Sequence, residues 1–200
     1  MMMKPFRYLL MLMFLTSLLS CDVFRQTTEM AALGKCDFRI ESTRNMKLAG
    51  INIQEKKSIS DFSMMDMTRI GSAIAAGALP LTFDLNVEVD NPNEKVAAMN
   101  RLDWILLIDD VEMTRGILDK RIEIQPGLVS QFPVAMQVDL MKALSGKSGD
   151  ALINFALNLA GASSRPTKIK LKAKPTILVG TRAIDYPGYI TIRHEYGAAR

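Results

Sequence analysis

The chain offers little reactive chemistry: one His, two Cys and one short Ser-Gly-Lys-Ser run. Any histidine-based metal cluster or nucleophile–base pair must use His194, and a lone imidazole between Arg193 and Glu195 on a terminal strand reads as an exposed strand position. Ser145-Gly146-Lys147-Ser148-Gly149 has the ending of a phosphate-binding loop. The earlier glycine that such a loop requires falls at Met141, so Ser148 or Asp150 is expected to cap the following helix instead. Asp84, Glu88 and Asp90 share one face of a strand, where alternate residues stand about 7 Å apart, too far for one cation without a compact loop. Cys36 lies between Lys35 and Asp37, near Phe38 and Ile40, with no second thiol or base nearby in sequence. It reads as a small buried hydrophobe rather than a nucleophile. These residues give no reason to expect catalysis, a metal or a cofactor.

Cys21 is different. It closes Leu18-Leu19-Ser20-Cys21 behind an uncharged run from Tyr8 to Leu19, itself preceded by Lys4 and Arg7. A basic start, a short apolar run and a small residue before Cys resemble a bacterial lipobox, although Leu19 stands where a small residue is more usual. In such a leader residues 1–20 are removed as a signal peptide, and the sulfur of Cys21 takes a thioether-linked lipid (palmitate is a typical acyl group). The run is too short to span a bilayer. Residues 21–34 then read as a lipidated polar tether, which spans about 20 Å root-mean-square if flexible and at most about 45 Å. The expected address is the cell envelope, lipid-anchored in the inner or outer membrane and facing the periplasm. Losing residues 1–20 removes two of the 25 basic residues and none of the 21 acidic ones, so the net charge falls from +4 to about +2. That balance does not suggest nucleic acid. With Cys21 blocked by lipid, Cys36 has no disulfide partner, and the domain must stand on a hydrophobic core.

The main surface feature is the row Lys168, Lys170, Lys172 and Lys174, four like charges on one strand face. Such a row suits anionic headgroups or an anionic polymer. The plainer readings are protection of an edge strand against pairing and ordinary solvation of a charged face.

The elements that position these residues are mostly strands. Leu79, Leu81, Phe83, Leu85, Val87 and Val89 alternate with polar residues, so one face of a long strand is buried and the other wet. Asn91-Pro92-Asn93 ends it as a turn, with Asn able to close an Asx-turn. Alternation also marks 37–42, 48–53, Leu102 to Ile108 (with Ile105 and Leu107 filling the second face), Val111 to Gly116, Ile122 to Ile124, Phe132 to Val138, Ile169 to Val179 and Tyr189 to His194. The period changes to helical near 60–77, where Ser60 or Asp61 can cap and Met64, Met67, Ile70 and Ile74 share a face. It changes again near 140–162, around Leu152, Phe155, Ala156 and Leu159. The expected architecture is mainly β: an antiparallel fibronectin III-like or immunoglobulin-like β-sandwich over 35–196, with one helix near 60–77 and a helical insertion near 140–162.

The stretch from Leu81 to Asn93, a strand of alternating residues running into Asn-Pro-Asn, resembles the late embryogenesis abundant (LEA) type 2 family, also called the water-stress and hypersensitive-response (WHy) domain. Like that family, the chain follows with a strand pair about Asp109-Asp110, Gly116 and the alternating strand Phe132 to Leu140. The resemblance implies a single antiparallel sandwich of about seven strands with a helix. It also implies no catalytic residues and an association with stress and desiccation protection. The helical segment at 140–162 lies outside the family's minimal pattern and leaves room for a partner or ligand site.

The expected function is therefore that of a membrane-anchored, non-enzymatic lipoprotein working in interaction or stress protection, with an envelope protein or lipid as partner. The alternative is a carrier of lipid or another apolar ligand, held between the sheets and the two apolar helices.

Overall fold

The structure is a computed structural model that describes residues 25–147, 149–162, 167–179 and 182–196. Cys21, the leader before it and Ser148 lie outside the described residues. Two antiparallel sheets face each other as a sandwich, the mainly β architecture that the alternation predicts. The first sheet has the order β2-β1-β3-β8, with β1 Asp37–Leu48, β2 Ile51–Asn52, β3 Pro80–Asp90 and β8 Val129–Asp139. The second has the order β10-β9-β5-β6, with β5 Arg101–Ile108, β6 Val111–Leu118, β9 Thr167–Val179 and β10 Arg182–Asp185; β11, Ile190–Tyr196, also pairs with β9. A two-stranded piece joins β4 Ala97–Met99 to β7 Ile122–Ile124.

The six-fold alternation of β3 does what its period requires. Leu81, Phe83, Leu85, Val87 and Val89 are buried, and β8 pairs with it in unbroken register from Pro80↔Asp139 to Asp90↔Val129. Phe132, Val134, Met136 and Val138 continue the same inner face. Facing them, Leu102, Trp104, Leu106 and Ile108 of β5 and Ile169, Leu171 and Ala173 of β9 close the core. Ile105 and Leu107, read as a second covered face, are only half-buried and look outward. β1 keeps Ile40, Thr43, Met46 and Leu48 inward by two register shifts, one on each side of Ser42–Arg44. Each shift moves the side-chain alternation by one residue. Asp109 and Asp110 both adopt positive φ and make the two-residue turn between β5 and β6.

Among the described residues four helices flank the sheets. Helix α2, Met64–Ala75, is capped by Ser63, whose hydroxyl accepts from Asp66 N while the Asp66 carboxylate accepts from Ser63 N. Ser60 and Asp61, expected as caps, belong to a preceding 3-10 turn, Ile59–Asp61. Only Ile70 is fully buried in α2, with Met67, Ala73 and Ile74 partly so, and Met64 stands in solvent at 88% exposure. Helices α3, Leu140–Ala143, and α4, Gly149–Leu159, fill the predicted insertion, and α4 buries Leu152, Ile153, Ala156, Leu157 and Leu159. The segment read as a polar tether holds a further helix, α1, over 25–33, with Glu29, Ala32 and Leu33 buried. Leu33 supplies apolar burial, and Glu29 finds its partner far along the chain.

Candidate functional site

Two places deserve description as sites: the Asn91 turn and the lysine face. Asn91 follows the last residue of β3 and is completely buried. Its Nδ2 donates to the carbonyls of Lys95 at 2.9 Å, Ile124 at 2.9 Å and Gln125 at 3.2 Å. Its Oδ1 accepts from Asn93 N at 3.1 Å, the predicted Asx-turn, and from Asn93 Nδ2 at 2.7 Å. Asn93 Nδ2 also reaches the carbonyl of Ala32 in α1 at 3.0 Å. Pro92 is exposed and holds the turn by its fixed φ. The Asn-Pro-Asn motif thus joins three segments that diverge in sequence: α1, the β3 end and the β7–β8 turn.

Cys36 sits in the same cluster. Its thiol donates to Ala32 O at 3.4 Å and to Asn91 Oδ1 at 3.6 Å. Burial, with the nearby charges of Asp37 and Asp90, pushes it up to about 11. A thiol held protonated in this way is a poor nucleophile at neutral pH. Half-buried and packed against the core, it has the placement expected of a small hydrophobe.

The lysine row lies on the outward face of β9, but β9 is not an edge strand. It pairs with β5 along one side and with β10 and β11 along the other, which removes edge protection as its purpose. Pro175 is accommodated within this interior strand where the partner changes: β11 pairing ends at Ala173 and β10 pairing begins at Thr176. Lys170 is paired with Asp110, and Lys174 with Asp185 at 2.9 Å. Hydrogen bonding and charge from the lysines hold both carboxyls below the usual carboxylate range, while Asp185 raises Lys174. Lys168 and Lys172 have no ion pair among the described residues, nor does Arg193, which stands opposite Lys170 on β11. Ile105 and Leu107 stand opposite Lys172 and Lys170 on β5, while Asp103 faces Lys174 and Glu195 faces Lys168, so apolar groups lie beside the middle of the row and carboxylates beside its ends. At the Lys168 end a half-open recess of about 460 Å³ is bordered by Asp110, Lys168, Lys170, Arg193, His194 and Glu195.

The other candidates disperse. His194 pairs with Ile169, so it occupies the inward-facing register of β11 and is half-buried rather than exposed. Glu88 is tied to Arg39 and Gln131, and Asp84 accepts from Asn45 at 2.7 Å. Among the described residues no group of three or more His, Cys, Asp or Glu is arranged to hold a metal ion. Sequence reasoning missed Arg193, because only the β9–β11 register reveals that it extends the lysine face.

No protein-family model matches the chain, and no curated protein matches it. The fold has likenesses among solved structures. An Archaeoglobus fulgidus protein is 12% identical, with 80% of this chain and 98% of that one covered and a TM-score of 0.33. An Arabidopsis thaliana protein is 14% identical over 57% of this chain and 68% of its own, with a TM-score of 0.39. A LEA-like protein is 12% identical over 90% of this chain and 81% of its own, with a TM-score of 0.35.

Proposed function

We propose that this is a membrane-anchored, non-enzymatic lipoprotein of the cell envelope with a LEA type 2/WHy-like domain, acting by contact in interaction or stress protection. The observation that carries the contact role is the composition of the β9 face. Lys168, Lys172 and Arg193 meet an anion without first breaking an ion pair, and Ile105 and Leu107 supply apolar surface beside them. Charge attracts the partner at long range, and desolvation of the flanking isoleucine and leucine holds it at short range. Support for the domain reading comes from the Asn-Pro-Asn motif at the end of the alternating strand, whose first Asn is a buried structural hub. Support for the address comes from Lys4, Arg7, the apolar run and Cys21 in the sequence.

Metabolic labelling with palmitate tests the anchor: label enters the wild type and not Cys21→Ala. Equal label in both, or none in either, ends that part of the reading. Drying a labile enzyme with and without the protein tests protection. Loss of the protective effect in a Lys168→Glu, Lys172→Glu, Arg193→Glu triple variant of unchanged stability is the expected result. Full protection by that variant would take the role away from this face.

A further inference from the structure

The α1 end of the sandwich is a built platform, and its outer rim is apolar. Glu29 of α1 accepts from Arg121 at 2.9 Å, and Arg121 also donates to Asn100 Oδ1 at 3.3 Å. The same Asn100 oxygen accepts from Leu178 N at 3.1 Å. With Asn93 holding Ala32, these bonds fix α1 across the end of both sheets. At its other extremity Gly34 lies so close to Tyr186 that a Cβ would stand 2.9 Å from the phenol oxygen. Of the nine large apolar side chains exposed among the described residues, four lie at this end, Leu128 at 55%, Val129 at 51%, Leu178 at 44% and Ile184 at 41%, and Ile117 and Tyr189 stand at the level of Lys174 beside it. The register puts them there. Leu128 O accepts from Asn91 N, Val129 pairs with Asp90 at the end of β3, and Leu178 and Ile184 belong to the β9–β10 pairing beyond Thr176.

We infer that this end docks on the lipid bilayer, with the apolar rim seated among the headgroups and α1 lying along the surface. The inference rests on lipidation of Cys21, which fixes the reach. Three residues separate Cys21 from Arg25, and the four residue steps between them span about 14 Å at most when extended. The polar layer on each side of a bilayer is itself about 6 Å deep. Because α1 is held to the sandwich, no longer tether is available to turn another face to the membrane. Met64 and Met65, exposed at the opposite end, stand farther away by about the length of β3, roughly 35 Å. In this pose the lysine row rises from the membrane. Lys174 is nearest and Lys168 is about 20 Å higher, so the β9 face meets a partner in the aqueous space rather than headgroups.

Spin labels on the full-length protein, made with its leader and reconstituted into phosphatidylethanolamine–phosphatidylglycerol vesicles, test the docking. Labels are placed at Leu128→Cys, Tyr189→Cys and Met64→Cys; Cys36, with its raised thiol, reacts slowly. Collision with oxygen relative to a water-soluble nickel complex should be several-fold higher at 128 and 189 than at 64. Water-like values at 128 and 189 overturn the docking. Palmitate labelling of the same preparations decides the anchor separately. Label at Cys21 with 128 and 189 in water keeps the anchor and sinks the docking. Absence of label removes the anchor, and lipid contact at 128 and 189 would then have to come from the apolar rim alone.

Discussion

Replacing Asn91 with Ala removes more than one hydrogen bond, because one side chain serves partners from three parts of the chain. The Ile124 carbonyl is buried with it, and a buried acceptor left unpaired costs about 1–3 kcal/mol. Lys95 O, Gln125 O and the Asn93 amide lie at partly buried positions where water can replace the lost group, and each then forfeits a net bond of about 1 kcal/mol or less. Together these give an expected loss of about 2–5 kcal/mol. With a urea slope of about 2 kcal/mol per molar for a domain of this size, the midpoint should fall by about 2 M at constant slope. Asn91→Asp is the control. It keeps the shape and the accepted bonds but aims a carboxylate at three carbonyls, so it should be at least as damaging at neutral pH and milder in acid, where a protonated carboxyl can donate again. Urea titration at both pH values measures this. A midpoint shift under about 0.5 M for Asn91→Ala would refute the hub.

Gly116→Ala should destabilise by about 1–3 kcal/mol through overpacking, since the new Cβ would fall against Cζ2 of buried Trp104; thermal unfolding followed by Trp fluorescence reads it. Cys36 should react with iodoacetamide far more slowly in the native than in the urea-unfolded protein at neutral pH. Its pKa rises from 9.0 to about 11 on folding, so its contribution to stability is complete below pH 9.0 and lost as pH rises towards about 11; urea midpoints across that window check the sign. Lys172→Glu should weaken retention on an immobilised polyanion without changing the melting temperature, because Lys172 has no ion pair among the described residues to lose. Asp185→Asn should strengthen retention by releasing Lys174, and salt-gradient elution compares the two.

Where burial imposes a period, the sequence was legible. β3, β5 and β8 alternate because each has one inner face, and α4 shows its stripe because Leu152, Ala156 and Leu159 all enter the core. Three failures have separate causes. The α1 segment Arg25-Gln26-Thr27-Thr28-Glu29 is polar, and what docks it is Arg121, 92 residues away. β10 exposes every residue and exists only as a partner for the end of β9, while β4 buries all three of its residues and so has no alternation to read. The lysine row was visible, but its strand's interior place depends on β11 returning to pair with it. Of the site residues, Asn91 could be recognised from its position after a strand, and Arg193 could not. Met64 shared the right helical angle but lies in the first turn of α2, beyond the surface the helix covers.

The docking of α1 also sets an order of events for a chain made from its N-terminus. Helix α1 emerges first, yet its anchors Asn93 and Arg121 follow 61 and 92 residues behind their partners. The described part of this helix is polar in its first turns and is held by partners made later, so it gains little from folding alone in water. It must therefore wait, unformed, until about half of the sandwich exists. A segment made early is thus among the last to fold, and a protease or chaperone present during that interval meets it unfolded.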